Sequence, residues 1–310
     1  MKIIQDKYKK VADFCFKLFR IAKLPLHASR FSNKLFSQFQ HLFLLVYKQF
    51  RKATYEELLT DLASNYDLRA YLGLQKLPHY STLIKFAKRL PATALQRLLE
   101  AFKQIIPKPK IVAIDATGIS LDNASPHYCK RIGLRTKKRP FMKTTFIVDI
   151  QNFMILLCNT RKKARHDVKD AKPMIKRLAL HYQPEVFLAD RGYDAESLFA
   201  LVFEKLGAYP LIFQRNQNVP KHRKSGKYRK ATINEFDYSG YLQRNLIETT
   251  NSMIKKRFSS KVLSRINKMQ KVEILTRVIA YNIDRLIRMS QSAILIFIRI
   301  ARVSHCPIDP

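Results

Sequence analysis

The chain has no tryptophan, only 7 glycines in 310 residues, and few acids: 23 Asp and Glu stand against 58 Lys and Arg. Scarce glycine argues against a construction of many tight turns and for a helix-rich one. The four cysteines (15, 129, 158 and 306) are scattered, with no pair at zinc-ligand spacing. That excludes a disulfide framework and a local metal clip, and it fits a reducing cytosol. Long apolar runs are also missing. The longest, Ala293 to Ile298, stops at Arg299 and is too short to span a bilayer. The N-terminus carries Lys2, Lys7, Lys9, Lys10, Lys17 and Arg20 and lacks the apolar core of a signal peptide. These absences lead to the expectation of a soluble, cytoplasmic, nucleoid-associated protein with no membrane partner.

What is present is positive charge. A formal net charge of +35, with 47% hydrophobic and 26% charged residues, describes a folded chain with an unusual appetite for polyanions. Phosphate neutralisation supplies most nucleic-acid affinity, so double-stranded DNA is the expected partner; a basic membrane-surface protein is the alternative on charge alone.

Residues 1–106 carry helical periodicity throughout, at 8–23 and 33–50, with a capping-box start at Thr54 and Glu57 for a helix over 55–65. Ser81 or Thr82 opens a short basic helix, and Pro91 starts another running to about Gln104. Pro107-Lys108-Pro109 then breaks the pattern and marks the expected domain boundary. Beyond it the period changes. Strand-like runs fall at 111–116, 144–150, 153–159, 185–190 and 209–213, and helical segments at 167–181, 194–206, 240–258 and 267–289. This succession predicts an α/β fold, a mixed sheet flanked by helices of the ribonuclease H-like kind, over 107–290. An all-helical DNA-binding region would precede it and a tail, 291–310, would follow.

Three acids stand out in this cationic background. Asp115 follows Ile111-Val-Ala-Ile114, and Asp190 follows Val186-Phe-Leu-Ala189, so neighbouring strands would deliver both to one end of the sheet. Either acid taken alone could be a turn former or helix cap. The third, Glu248, sits in a helical stretch with Tyr241, Arg244 and Lys255 at offsets that place all four within an arc of roughly 60°. An amphipathic helix with a solvated face and an ordinary Arg244–Glu248 ion pair would show the same pattern. Acids gathered beside a polyanion suit divalent metal, because hard cations take oxygen ligands and two of them about 4 Å apart can activate water and stabilise a leaving oxygen.

Asp190-Arg-Gly-Tyr-Asp194, followed by Tyr241-x2-Arg244-x3-Glu248-x6-Lys255, resembles the DDE transposases of bacterial and archaeal insertion sequences, in the branch marked by a Tyr-Arg-Glu-Lys signature. The context of Asp115 and the Arg165-His166-Asp167 run before a helix are similar to that branch too. The resemblance covers about 111–290. It implies a ribonuclease H-like core and two divalent ions, Mg2+ or Mn2+, held by the catalytic triad Asp115, Asp190 and Glu248. It implies Tyr241, Arg244 and Lys255 against transposon-end DNA, and a homodimer that holds two ends. Two departures stand beside it. Only 57 residues separate Asp190 from Glu248, too few for the β-rich insertion of some relatives. No tryptophan is available to stack on a flipped base, which puts hairpin formation by that route in doubt.

Other cations extend the expected DNA surface. The tract Lys130 to Lys143 contains Lys137, Lys138 and Arg139; the tract Arg215 to Lys230 contains Lys221, Arg223 and Lys224. Neither tract contains an acid, and as tracts beside a metal site both read as phosphate binders. Residues 55–89 could form a helix-turn-helix presenting Lys85, Lys88 and Arg89, with a plain helical bundle as the alternative. His166 and Asp167 read either as an auxiliary catalytic pair or as a helix N-cap made by Asp167, with His166 incidental. The expected activity is transposition: cleavage at the inverted ends of an insertion sequence and joining of 3′ ends to target DNA. The rivals are a transposase-derived DNA-binding protein without catalysis and a structure-specific metal-dependent nuclease.

Overall fold

A notch in one edge of a mixed β-sheet organises this molecule. The structure, a computed structural model, describes residues 2–31, 33–121, 131, 140–163, 165–215, 219–223, 225–233 and 236–303, with side chains for all of these except 2–6, 221 and 292–303.

Six helices come first: α1 (Lys2–Ile21), α2 (Gln38–Arg51), α3 (Tyr55–Ser64), α4 (Tyr66–Tyr71), α5 (Tyr80–Arg89) and α6 (Ala92–Ala101). The Thr54–Glu57 capping box forms as the sequence predicts, and a second, Ser37 with Gln40, starts α2. Every residue of α2 from His41 to Gln49 is buried, because α1, α5 and the last helix, α12 (Asn267–Val303), surround it. Burial and the charge of Arg89 push the His41 imidazole down to about 4, so it packs as a neutral ring against Phe86. Helix α12 also crosses β3, which ties the helical region and the sheet into one hydrophobic core. Its buried stripe, including Ile274, Val278, Tyr281 and Ile283, is the apolar face expected at 267–289, and each fully buried side chain contributes ~1.5–3 kcal/mol.

The sheet has the order β3-β2-β1-β4-β5, built from β1 (Ile111–Leu121), β2 (Phe141–Asp149), β3 (Met154–Arg161), β4 (Val186–Ala189) and β5 (Tyr209–Ile212). β2 runs antiparallel to both β1 and β3, while β4 and β5 run parallel to β1. This is the mixed sheet of the ribonuclease H-like fold. The β2–β3 turn is set by Asp149, whose carboxylate accepts from the Gln151 and Asn152 amides. Helix α7 (Asp167–Ala179) joins β3 to β4, and α8 (Glu196–Leu201) joins β4 to β5 through a π-helical turn at Val202–Leu206.

β1 is longer than its sequence pattern suggests and places Asp115 in mid-strand. Its pairing with β4 ends at Ile114 and Ala189, while its pairing with β2 continues to Ser120. A two-residue strand, β6 (Lys261–Val262), resumes that edge only at Ser120 and Leu121. Between Ile114 and Ser120 this edge of β1 has no strand neighbour among the described residues, and the notch opens there.

After α9 (Lys227–Ala231), the expected helix over 240–258 appears as two pieces, α10 (Tyr238–Leu242) and α11 (Asn245–Phe258). Arg244 and Ile247 donate their amides to Tyr241 and Arg244 carbonyls, three residues back, so the chain is wound tighter at this junction. Tyr241 therefore lies on α10, Arg244 stands at the N-cap of α11, and Glu248 and Lys255 lie on α11, so two helical pieces and not one unbroken helix carry these four residues.

Candidate active site

Asp115 and Asp190 stand next to each other because their strands are in register up to the residues just before them, Ile114 and Ala189. β4 stops at Asp190, whose side chain accepts the Gly192 amide at 2.8 Å and so turns the chain through Arg191–Tyr193. Both acids line a cleft of about 330 Å³, together with Thr117, Phe141, Lys143, Asp167 and Tyr193.

α11 lies across the other side of the notch. Asn251 donates to Asp115 Oδ2 at 2.8 Å, and Lys255 Nζ donates to Thr117 Oγ1 at 2.5 Å. Asp115, Thr117, Glu248, Asn251 and Lys255 line a second, open pocket of about 490 Å³. Glu248 is 59% exposed and pairs with Arg244 at 2.8 Å. Asp115 is thus the wall shared by two pockets, one holding Asp190 and the other Glu248. Among the described residues no three His, Cys, Asp or Glu side chains stand close enough together to hold an ion, so the three acids border one notch without forming a closed cluster.

The electrostatics mark Asp115 as the centre. Burial first, then the charges of Asp190 and Glu248, push its carboxyl up to about 6, against the Ala116 amide and Arg244. Burial works against the charge of Arg244, but the hydrogen bond it donates to Glu248 and the charges of Tyr241, Glu248 and Asp115 outweigh it and raise its pKa. Burial pulls the Lys255 ammonium down, with Asp115 opposing. The notch contains acids that repel one another and cations that burial disfavours.

A family model for the transposase DDE domain matches residues 106–283, more than half of the chain. The chain belongs to the transposase DDE domain family. A solved structure described as a piggyBac transposase synaptic complex with hairpin DNA is similar at 11% identity and a TM-score of 0.43, covering 96% of this chain and 82% of that one. No curated protein matches. The DDE family works with divalent metal ions, and the donor set here, carboxylate oxygens with no histidine or cysteine, fits a hard cation.

Tyr241 packs among Phe213, Phe236 and Tyr238, and Arg191 stacks over Phe213 at 4.8 Å, so a ring cluster supports the junction from which Arg244 projects. The pair His166 and Asp167 is divided. His166 is exposed and caps α7 through its Nδ1, whereas Asp167, one residue on, reaches the cleft and pairs with Lys143 at 2.7 Å. Lys85, Lys88 and Arg89 lie on the exposed face of α5, whose Leu83, Phe86 and Ala87 face the core. Arg223 is exposed, and Lys221 begins a 3-10 turn. Lys137, Lys138, Arg139 and Lys224 lie outside the described residues. Tyr228 hydrogen-bonds Glu204 and packs on Phe203.

Four site residues carried no individual signal in the sequence. Asn251 sits three residues after Glu248 and four before Lys255, a helical spacing that could have drawn attention to it. Thr117 and Lys143 enter the site through strand register, with Lys143 opposite Gly118. Tyr193 belongs to the Asp190–Asp194 motif, where its neighbours took the attention.

Proposed function

We propose that this protein is a DNA transposase that cleaves phosphodiester bonds at the inverted ends of an insertion sequence and joins the 3′ ends to target DNA. It acts as a homodimer on double-stranded DNA, with two Mg2+ or Mn2+ ions held by Asp115, Asp190 and Glu248. The observation that carries this reading is the juxtaposition of Asp115 and Asp190 at the notch, inside the family-matched region of a chain with a net charge of +35.

When bound, the ions supply an activated water and charge stabilisation for the leaving 3′ oxygen. The chain's own residues do the positioning. Asn251 orients one oxygen of Asp115, and the Gly192 amide orients one oxygen of Asp190. Glu248, exposed and paired with Arg244, is free to turn toward Asp115 when Arg244 engages a DNA phosphate instead. Lys255, already leaning over Thr117, meets a second phosphate. The domains follow the same division of labour: a helical DNA-binding region over 1–106, the catalytic domain over 107–290 and a terminal segment beyond it.

The experiment begins with the DNA flanking the gene, where terminal inverted repeats bounded by short direct repeats are expected. Purified protein with those ends and Mg2+ should nick and join them. Asp190→Ala should abolish cleavage and retain or strengthen end binding in a mobility shift, because it removes a negative charge facing phosphate. Nicking without joining would make the protein a nuclease, and end binding without any metal-dependent cleavage would make it a non-catalytic DNA-binding protein.

A further inference from the structure

The cleft that holds Asp115 and Asp190 has another acidic wall. Asp167, the first residue of α7, lines it with Lys143 and Tyr193. The two oxygens of Asp167 face different ways. Oδ1 pairs with Lys143 Nζ at 2.7 Å, and Lys143 is otherwise engaged by Asp170 and the Arg165 carbonyl. Oδ2 points to the turn after β4. It lies 3.4 Å from where a Cβ on Gly192 would stand, and Asp190 Oδ1 lies 2.9 Å from the same point. Any side chain at 192 would fill the space that these two carboxylates share.

Tyr193 is an independent sign that something binds there. It is 1% exposed, it forms part of the cleft wall, and its hydroxyl has no hydrogen-bond partner among the described residues. Leaving a buried hydroxyl unpaired costs roughly 1–3 kcal/mol, so its position makes sense if an oxygen enters the cleft with a ligand. Packing alone would have been served as well by phenylalanine.

We propose that Asp167 is a fourth carboxylate of the divalent-cation site, and that the Tyr193 hydroxyl donates to an oxygen of the group bound beside it. This rests on the metal-dependent reading given above. Lys143 neutralises one oxygen of Asp167 and leaves the other for the ion, which limits the net negative charge that the cleft presents to DNA.

The test is a calorimetric titration of the full chain with Mn2+, without DNA, so that the readout is binding and not turnover. Asp190→Asn serves as the reference and should remove most binding. Asp167→Asn should weaken Mn2+ binding about tenfold, the scale on which supporting ligands act. Tyr193→Phe should weaken it about threefold while the melting temperature stays level or rises, since an unpaired hydroxyl is lost. Tyr193→Phe keeps the ring and the core, so the proposal stays testable if Asp167→Asn folds poorly. Asp167→Asn and Tyr193→Phe that both bind Mn2+ like the wild type, while Asp190→Asn does not, would overturn the proposal and leave the transposase reading intact. A wild-type chain that takes up no Mn2+ would overturn both.

Discussion

Two groups of acids in this molecule are treated in opposite ways. Asp170 is buried to 1% exposure and is met by Arg165 at 2.8 Å, Arg161 at 2.9 Å and Lys143 at 3.2 Å. Asp284, equally buried, is met by Lys7, Arg257 and Arg288. Asp115 receives the Asn251 side-chain amide and the Ala116 backbone amide, Asp190 receives the Gly192 amide, and among the described residues neither forms an ion pair. In a chain with 58 cations, partners for two more acids are easily supplied. On the reading proposed above, leaving them without one keeps their oxygens available to a divalent cation. Asp149 shows that lack of a cation is not sufficient as a sign, since it is buried and unpaired by charge but fully occupied by the Gln151 and Asn152 groups of its turn. The distinguishing mark of Asp115 is that its neighbours are other acids.

That contrast can be broken from the structural side first. Asp170→Ala leaves three cations facing one another in a buried site and should destabilise the fold by about 3–5 kcal/mol in urea denaturation. A loss below about 1 kcal/mol would mean that the cluster is screened by water and that the two groups of acids do not differ as described.

The catalytic side should respond with the opposite sign. The Asp115 carboxyl is raised to about 6 from an ordinary 3.8, so the folded chain holds that proton more tightly than the unfolded one. The resulting stabilisation is fully present below about pH 4 and is lost as pH rises through about 6. Without metal at pH 7.5, Asp115→Asn should therefore be more stable than wild type by up to ~3 kcal/mol, and the advantage should vanish near pH 4. A stability gap that does not change between these two pH values would show that burial, Asp190 and Glu248 do not raise the Asp115 carboxyl as described. Saturating Mn2+ should narrow the gap at pH 7.5 by stabilising the wild type alone.

The smallest effect separates cations from acids on α11. Lys255→Ala should weaken binding to end DNA and reduce the slope of log affinity against log salt by about one contact. Glu248→Gln should keep that slope and lose metal-dependent cleavage. If Lys255→Ala binds with wild-type affinity and slope, Lys255 serves only to hold Thr117 across the notch.

Much of the site was legible before the fold was. The apolar runs ending at Asp115 and Asp190 are strands β1 and β4, and the spacing of Arg244, Glu248 and Lys255 is that of α11, because burying alternate or every third to fourth residue is a local requirement that sequence records directly. The junction at Gln243 and Arg244 was not legible. Nothing in the periodicity shows that the helix tightens there, since rings from outside the helix, Phe213 and Phe236, pack against Tyr241.

The sequence by itself determined the class of chemistry: few acids, many cations, and three carboxylates in strand and helix contexts specify a basic protein with an oxygen-lined site. Only the tertiary structure decided which groups share that site. β1 runs on past Asp115 while β4 stops at Asp190, and that difference in length opens the notch into which Asn251 and Lys255 descend and beside which Asp167 and Tyr193 stand. The physical reason is that a residue's partners across a sheet edge depend on where its neighbouring strand ends, and that is set by packing between segments far apart in sequence.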